Sequence, residues 1–280
     1  MRGSAPDRLG LLIMPALLLL VVLFVIPIAW FFARTLAEVG DLDLLAQQAV
    51  TVLTSTAVVT AMSTTIWISA LVTGFTLLVG YPIAYFLANN GGWRFALVLF
   101  CIIVPYFTSI IVRTYSWMVL LGRNGLVNQA LIGLGLADAP LPLLYNKLGI
   151  LVGMAYVLLP YMILTLFAAM KSIDPGLTRA AHGLGASAAY SFRRIYLPLS
   201  LHGIISGALI VFILSIGFFI TPALMGGPSD VMIAMLIERA VEITLDWPSA
   251  ALMSLLLLVV TLMLYALYYR VTDIRRMMGT

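Results

Sequence analysis

The chain has 280 residues, of which 63% are hydrophobic and 9% are charged, and its mean hydropathy is +1.12. Soluble domains carry roughly 25% charged residues, so this composition excludes a soluble globular protein and predicts an all-α integral membrane protein. The net charge of +4 would suggest nucleic-acid binding in a soluble chain. In a membrane protein, basic residues collect in cytoplasmic loops, so no nucleic-acid partner is predicted.

Long apolar runs predict a single transmembrane domain over residues 1–280 with six membrane spans. A hydrocarbon core about 30 Å thick takes about 20 helical residues per crossing. The first run is longer than the apolar core of a signal peptide, which has about 7–15 residues, so we expect a retained helix. The predicted spans are residues 11–32, 66–88, 95–121, 148–170, 201–220 and 248–269.

The distribution of charge predicts the orientation of these spans. One side of the membrane receives ten basic and three acidic residues, and the other side receives five basic and eight acidic residues. Because basic residues favour the cytoplasmic side, both termini and residues 171–198 are predicted to be cytoplasmic. The outer segments are then residues 34–56, 122–147 and 221–247, and membrane lipid surrounds the spans.

The sequence lacks the groups that membrane enzymes and ion-coupled carriers use. It contains no Gly-x-x-x-x-Gly-Lys-[Ser/Thr] loop for ATP phosphates, no His-Glu-x-x-His and no Gly-x-Ser-x-Gly. Its single cysteine, Cys101, excludes an intramolecular disulfide, and no Cys/His cluster indicates a metal. The predicted spans contain no Asp or Glu, which opposes both an intramembrane enzyme and an ion-coupled secondary carrier. We therefore expect no catalytic, cofactor or metal site in this chain.

One polar segment, residues 171–198, lies between two apolar runs and is predicted to form two short helices. Asp174 is a candidate N-cap with Pro175 at the first helical position. Gly183 and Gly185 are predicted to provide a turn at positions where a β-carbon is unfavourable, and Ser187 is a candidate N-cap for the second helix. By spacing alone such a loop is commonplace, so its role depends on the motif it contains.

That segment contains Ala180-Ala181-x-x-Leu184-Gly185-Ala186-Ser187, followed by Phe192-x-x-Ile195-x-Leu197-Pro198. The motif resembles the EAA loop of ABC-importer permeases, which docks on the ATPase subunit. The family motif opens with Glu where this chain has Arg179, so a charge contact by that Glu does not carry over. The resemblance implies that residues 171–198 form an ATPase-coupling loop.

Further runs extend the likeness over most of the chain between residues 79 and 227; they are residues 80–88, 105–109, 113–115, 120–125 and 221–227. They are similar to the spermidine/putrescine-type branch of ABC-importer permeases, and specifically to the first of its two permease subunits. The resemblance implies a six-helix permease of MetI-like fold in a bacterial plasma (inner) membrane. It also implies three kinds of partner: a second permease subunit in a heterodimer, two ATPase subunits that bind ATP and Mg, and an extracytoplasmic solute-binding protein.

The sequence thus predicts a permease subunit of an ATP-driven importer for a small organic solute. A polyamine such as spermidine or putrescine is favoured, because the outer segments are net acidic and a negative field attracts cations. The resemblance also leaves other small solutes open: an amino-acid derivative, an opine or ferric ion.

Polar and aromatic side chains within the predicted spans are candidates for the translocation path. Arg113 is the one charge in a span, which favours a functional role, although snorkelling to the interface is an alternative. Aromatic rings facing a cavity can hold an organic cation by cation–π attraction, whereas at span ends they form interfacial belts. Val104-Pro105-Tyr106 and Leu159-Pro160-Tyr161 echo each other, but three residues are too few to indicate a repeat. The candidates are Tyr81, Tyr85, Tyr106, Arg113, Tyr115, Trp117, Tyr156 and Tyr161.

Overall fold

A computed structural model describes residues 8–37 and 40–277, and all regular secondary structure within these ranges is helical. The all-α prediction is therefore confirmed. The predicted cytoplasmic chain ends fall on residues 1–7 and 278–280, outside the described ranges. The α-helices of the described ranges are α1 (Arg8–Leu20), α2 (Ile26–Ala37), α3 (Leu42–Thr54), α4 (Thr56–Asn89), α5 (Gly92–Ile103), α6 (Ile110–Leu121), α7 (Leu126–Gly133), α8 (Lys147–Lys171), α9 (Pro175–Gly183), α10 (Ala188–Ser191), α11 (Leu197–Ile216), α12 (Ile220–Met225), α13 (Ile233–Glu242) and α14 (Trp247–Met277).

Short turns of other helix types connect some of these helices. A π-helical turn, Val21–Val25, joins α1 to α2, and another, Phe192–Tyr196, joins α10 to α11. Each of them comes just before a proline. Proline has no N–H and its ring clashes with the carbonyl four residues earlier, and a wider turn accommodates both problems without ending the helix. A 3₁₀ turn, Val104–Phe107, follows α5.

The structure divides into two compact units, and the first comprises the described residues among 1–55 together with residues 237–256. Its longest element is the continuous apolar helix formed by α1 and α2. Every side chain from Met14 to Phe31 is exposed. Near the end of this helix, the Phe31 ring packs edge to face on Trp247, with centroids 6.2 Å apart. Such an uncovered apolar helix is suited to contact with lipid or with another membrane helix.

The second unit comprises residues 56–236 and 257–277 and contains the main core. That core lies between α4, α8 and α11, where Val72, Met154 and Val211 are fully buried. The backbones of α8 and α11 approach so closely that a β-carbon added at Gly203 would lie 2.4 Å from the Ala169 Cβ. Small residues permit this kind of contact between membrane helices.

Five helices in the described part of the chain are long and apolar enough to cross a membrane, and a bent pair brings the total to six if the pair forms one broken span. The pair consists of Gly92–Phe107 and Ile110–Gly133, which meet at 107°. The structure therefore agrees with the predicted class of a polytopic helical membrane protein. The five are Met14–Thr35, Thr56–Asn89, Lys147–Lys171, Ala188–Ile216 and Trp247–Arg270.

The helices also differ from the predicted spans in instructive ways. With 34 residues, α4 is about 50 Å long at 1.5 Å per residue, so it is longer than a hydrocarbon core of about 30 Å. The third predicted span, residues 95–121, is interrupted around Pro105, whereas Pro82 and Pro160 lie inside continuous helices. The helix of the fifth predicted span begins earlier, at Ala188, and ends at Ile216.

Candidate coupling loop and translocation path

The first helix of the polar segment, α9, is closed at both ends by local hydrogen bonds. Asp174 caps its start, because the carboxylate accepts a hydrogen bond of 2.7 Å from the Gly176 N–H. At its end Gly185 has φ +87°, a left-handed conformation that favours glycine. The Ala186 N–H donates to the Ala181 carbonyl, and the Gly185 N–H donates to the His182 carbonyl. Both N–O distances are 3.0 Å. This is a Schellman motif, and it reverses the chain between the two helices.

The second helix of the segment is continuous with the next long apolar helix. Ser187 caps α10 by accepting a hydrogen bond of 3.3 Å from the Tyr190 N–H. After the π-helical turn that contains Phe192, the Leu197 N–H donates to the Phe192 carbonyl, five residues earlier. Pro198 follows, where a regular helical hydrogen bond is impossible. The predicted caps and the turn at Gly185 are present in the structure. The prediction that Gly183 also belongs to the turn is wrong, because Gly183 is the last residue of α9 and its φ is not in the left-handed region.

The tip of the segment exposes apolar surface as well as positive charge. Leu184, next to the Gly185 turn, is 90% exposed, and Tyr190 is 57% exposed. Arg179, Arg193 and Arg194 are also exposed. The tip therefore presents Leu184, Tyr190 and three arginines on the surface of the chain.

Behind this tip, four rings form a compact group that we call the aromatic cluster: Tyr81, Tyr85, Phe192 and Tyr196. The Tyr85 ring meets Tyr196 and Phe192 edge to face, with centroids 4.9 and 5.7 Å apart. Tyr81 meets Phe192 in the same way at 6.2 Å, and Phe192 stacks on Tyr196 at 6.1 Å. Edge-to-face and stacked pairs at these distances are favourable ring geometries. The cluster joins the end of α4 to the π-helical turn of the segment.

Two side-chain hydrogen bonds fix the rim of the aromatic cluster. The Tyr81 hydroxyl lies 2.9 Å from the Ser200 Oγ, which also donates to the Leu197 carbonyl. The Asn89 amide, at the last residue of α4, donates to the Tyr196 hydroxyl over 3.3 Å. Tyr196 is only 5% exposed, so its hydroxyl needs such a partner. The rings are therefore held by packing on their faces and by hydrogen bonds at two of their hydroxyl groups.

A second group of predicted residues lies where α5 is separated from α6. After Pro105 the chain leaves the helix at Thr108, whose N–H and hydroxyl both donate to the Pro105 carbonyl at 3.1 and 2.6 Å. The Tyr106 hydroxyl lies 3.1 Å from the Tyr161 hydroxyl on α8, and the two rings pack edge to face at 5.6 Å. Irregular backbone at membrane depth is tolerated where it is buried in protein or lines a water-filled cavity.

Arg113, one turn into α6, is a half-buried cation beside this tyrosine pair. Its Nε atom is buried and makes no hydrogen bond to any described residue. Farther along α6, Trp117 packs edge to face on Tyr156 of α8, with centroids 5.5 Å apart. Aromatic rings, hydroxyl groups and one cation therefore face each other between α6 and α8.

The structure divides the eight predicted path residues into three sets. Tyr81 and Tyr85 lie in the aromatic cluster beside the polar segment. Tyr115 is 53% exposed and makes none of these contacts. The set between the helix break, α6 and α8 consists of Tyr106, Arg113, Trp117, Tyr156 and Tyr161. Which of these residues the solute meets stays a prediction.

The sequence reasoning missed several partners. It named neither Asn89, Ser200 nor Tyr196 of the aromatic cluster rim, and it missed the Thr114 hydroxyl, 3.2 Å from that of Thr221. One signal was present, because Tyr81 and Tyr85, like Phe192 and Tyr196, are four residues apart on a helix. Such pairs share one helix face, and two apolar-aromatic faces in neighbouring segments favour packing against each other.

In the part of the chain that the structure describes, His, Cys, Asp and Glu side chains do not gather in groups of three that could hold a metal ion. The side chains that do gather are aromatic rings, hydroxyl groups and one guanidinium. Groups of this kind can bind a solute or a neighbouring helix by packing, hydrogen bonding and cation–π attraction.

Comparison with known proteins identifies relatives along most of the chain. Residues 80–275 match a family described as binding-protein-dependent transport system inner membrane component. The chain is 35% identical over 202 residues to the spermidine/putrescine transport system permease protein PotB of Haemophilus influenzae. The aligned residues cover 72% of this chain and 71% of that protein. It is also 35% identical over 194 residues to PotB of Escherichia coli K12, covering 69% and 70%.

Among solved structures, the chain is similar to one in the crystal structure of a bacterial alginate ABC transporter in complex with an alginate pentasaccharide-bound periplasmic protein. The TM-score is 0.71 over 93% of this chain and 92% of that chain, at 19% sequence identity. At this level of identity the likeness concerns the fold.

Proposed function

The chain belongs to the family of inner membrane components of binding-protein-dependent transport systems, and from this premise we propose that it is the first permease subunit of an ATP-driven polyamine importer. The observation that carries the solute class is the 35% identity to spermidine/putrescine permeases over about 70% of both chains. Since the chain has no phosphate-binding loop, ATP and Mg bind to partner ATPase subunits. The chain itself performs transport and no covalent chemistry.

In this proposal, residues 171–198 are the contact with the ATPase. The Schellman turn holds Leu184 at the tip, and 90% of that side chain is free to enter an apolar groove on the partner. The exposed Arg179, where the motif has Glu, and the exposed Arg193 and Arg194 favour an acidic rim around that groove. ATP binding changes the conformation of the permease only if the loop binds the two ATPase states with different affinity.

The remaining partners follow from the same assignment. Residues 171–198 and both termini face the cytoplasm, and residues 34–56, 122–147 and 221–247 face the extracytoplasmic solute-binding protein. A second permease subunit completes the solute path. The wholly exposed apolar helix from Met14 to Phe31 then lies against lipid or that second subunit.

The solute passes beside the tyrosine pair Tyr106 and Tyr161. A polyamine is a flexible organic cation, so hydroxyl groups accept its N–H donors and the rings of Trp117 and Tyr156 attract it by cation–π contact. The predicted spans hold no carboxylate, and Arg113 adds a positive charge. Binding along this path is therefore weak, as a transit site requires, and affinity resides in the solute-binding protein.

The test is uptake of labelled spermidine by proteoliposomes that contain this chain, its paired permease, the ATPase and the binding protein. We expect uptake that requires both ATP inside and binding protein outside, with unlabelled putrescine as a competitor. A complex that hydrolyses ATP in response to an acidic or neutral solute, and not to polyamines, would contradict the solute class. Uptake by this chain alone, driven by an ion gradient, would contradict the transporter class.

A further inference from the structure

We propose that the aromatic cluster of Tyr81, Tyr85, Phe192 and Tyr196 is the mechanical joint that transmits displacement of residues 171–198 to α4. The four residues are positioning residues for transport and do not contact the solute. This inference rests on the proposed function and deepens it, since it identifies how movement at the ATPase contact reaches the helices.

The covalent connections of the loop explain why a joint is needed. At its start the loop continues from α8, and at its end α10 and the π-helical turn continue directly into α11. Movement of the loop therefore acts on α8 and α11 through the backbone. The end of α4 has no such backbone connection to the loop. Near the loop it is held by Ala84 and Leu87, which are buried in the core that includes Met170, by the aromatic cluster and by the Asn89–Tyr196 hydrogen bond.

The contacts of the aromatic cluster cross from α4 to the polar segment, as this role requires. Each ring touches at least one ring of the opposite segment, and Tyr85 touches both Phe192 and Tyr196. The hydroxyls of Tyr81 and Tyr196 already have partners within the chain, Ser200 and Asn89. These ring contacts link the two segments, while Tyr85 remains 38% exposed and Tyr81 and Phe192 line a cavity with Pro82 and Ile204.

The end of α4 that the aromatic cluster contacts is followed in the chain by α5 and then by the break in the third predicted span. Beyond Asn89, a turn of two residues connects α4 to α5, and α5 ends at the 3₁₀ turn that contains Tyr106. The Phe95 ring of α5 packs against Phe167 of α8, with centroids 5.8 Å apart. Displacement of the end of α4 thus acts on α5 and, through it, on the contact between Tyr106 and Tyr161.

The experiment uses the full reconstituted complex and records ATP hydrolysis and spermidine uptake in the same vesicles. Tyr85→Leu removes the ring that bridges Phe192 and Tyr196, and Tyr85→Phe keeps the ring and removes only the hydroxyl. We expect Tyr85→Leu to assemble in normal amounts and to raise the number of ATP molecules hydrolysed per spermidine by about threefold or more. Tyr85→Phe should leave that ratio unchanged.

The ratio separates a joint from a merely structural residue, because loss of folded complex lowers both rates together and leaves the ratio unchanged. A wild-type ratio for Tyr85→Leu, or an equal change for Tyr85→Phe, would overturn the proposal. If Tyr85→Leu does not assemble, Tyr81→Phe provides the second test, because this variant loses the hydrogen bond to Ser200. A wild-type ratio of ATP hydrolysed to spermidine transported in Tyr81→Phe would also overturn the proposal. Failure of the proposed function is a different result, namely a wild-type complex that shows no ATP-driven spermidine uptake.

Discussion

The two aromatic regions of the second unit are built differently although both consist mainly of tyrosines. In the aromatic cluster the rings touch in four pairs, two hydroxyls bond within the chain, and Tyr196 is buried. At the helix break, Tyr106 and Tyr161 meet by one hydroxyl contact, Tyr106 is 47% exposed, and the Nε atom of Arg113 lacks a hydrogen bond within the described chain. The aromatic cluster therefore makes more contacts within the chain than the helix break does, and in the account proposed above the cluster transmits movement while the helix break opens.

The largest expected loss of uptake is at the Gly185 turn, which lies in the segment that the aromatic cluster contacts. Gly185→Ala places a β-carbon at φ +87°, which costs about 1–2 kcal/mol and lowers the ratio of native to non-native turn about 5–30-fold. We therefore expect spermidine uptake to fall about tenfold, with normal insertion and normal assembly. Uptake into proteoliposomes measures the loss, and quantitative immunoblotting measures assembly.

Gly183→Ala is the matched control for the turn. Gly183 belongs to the helix α9, its φ is not in the left-handed region, and no atom lies within 4 Å of an added β-carbon. Uptake by this variant should equal that of the wild type. Equal uptake by the Gly185 and Gly183 variants would show that the left-handed turn is unimportant for coupling.

A smaller effect is expected at the region that opens. Tyr106→Phe and Tyr161→Phe each remove the same hydroxyl contact of 3.1 Å, and a hydrogen bond contributes about 0.5–1.5 kcal/mol net. We expect ATP hydrolysis without binding protein to rise about threefold in either variant, because the solute-free conformation loses one stabilising bond. The double variant should behave like either single variant, since one shared bond is lost. Additive effects would contradict the pairing.

The smallest effect is expected at Arg113, and it is a change in the preference for spermidine over putrescine. If this cation faces the path, Arg113→Gln lowers the electrostatic barrier more for a trivalent polyamine than for a divalent one. We expect the uptake rate of spermidine relative to putrescine to rise about twofold, and Arg113→Lys to leave the ratio unchanged. Competition uptake with two isotopic labels measures this ratio. A rate change that is the same for both solutes would place Arg113 outside the path.

How far the sequence predicted these regions depends on how local their signals are. The caps at Asp174 and Ser187 and the turn at Gly185 follow from residue types at fixed offsets, and the structure contains all three. Apolar runs of sufficient length likewise predict membrane helices. These predictions succeed because each depends on neighbours within one or two turns of a helix.

The contacts between distant segments were not predictable in the same way. Pro82, Pro105 and Pro160 carry the same local signal, yet only the helix at Pro105 separates, where Thr108 provides two hydrogen bonds to the freed carbonyl. Tyr81 and Tyr106 are both tyrosines near a proline, and their partners, Phe192 and Tyr161, are set by how α4, α8 and α11 pack. The Pro-Tyr pattern at residues 105–106 and 160–161 is too short to indicate a repeat, and it did not predict the contact between Tyr106 and Tyr161.

The most direct test of the coupling assignment is a cross-link from the loop tip. Leu184→Cys in a Cys101→Ser background places a unique thiol at the side chain that is 90% exposed, and Leu136→Cys in the outer segment, exposed by 71%, is the control. In the assembled complex, we predict that a maleimide carrying a benzophenone group, attached at position 184, links to the ATPase on illumination with a yield that changes on ATP addition, and that position 136 gives no ATPase adduct. Labelling of position 184 from outside the cell, or an ATPase adduct at position 136, would contradict the assignment of residues 171–198 as the coupling loop.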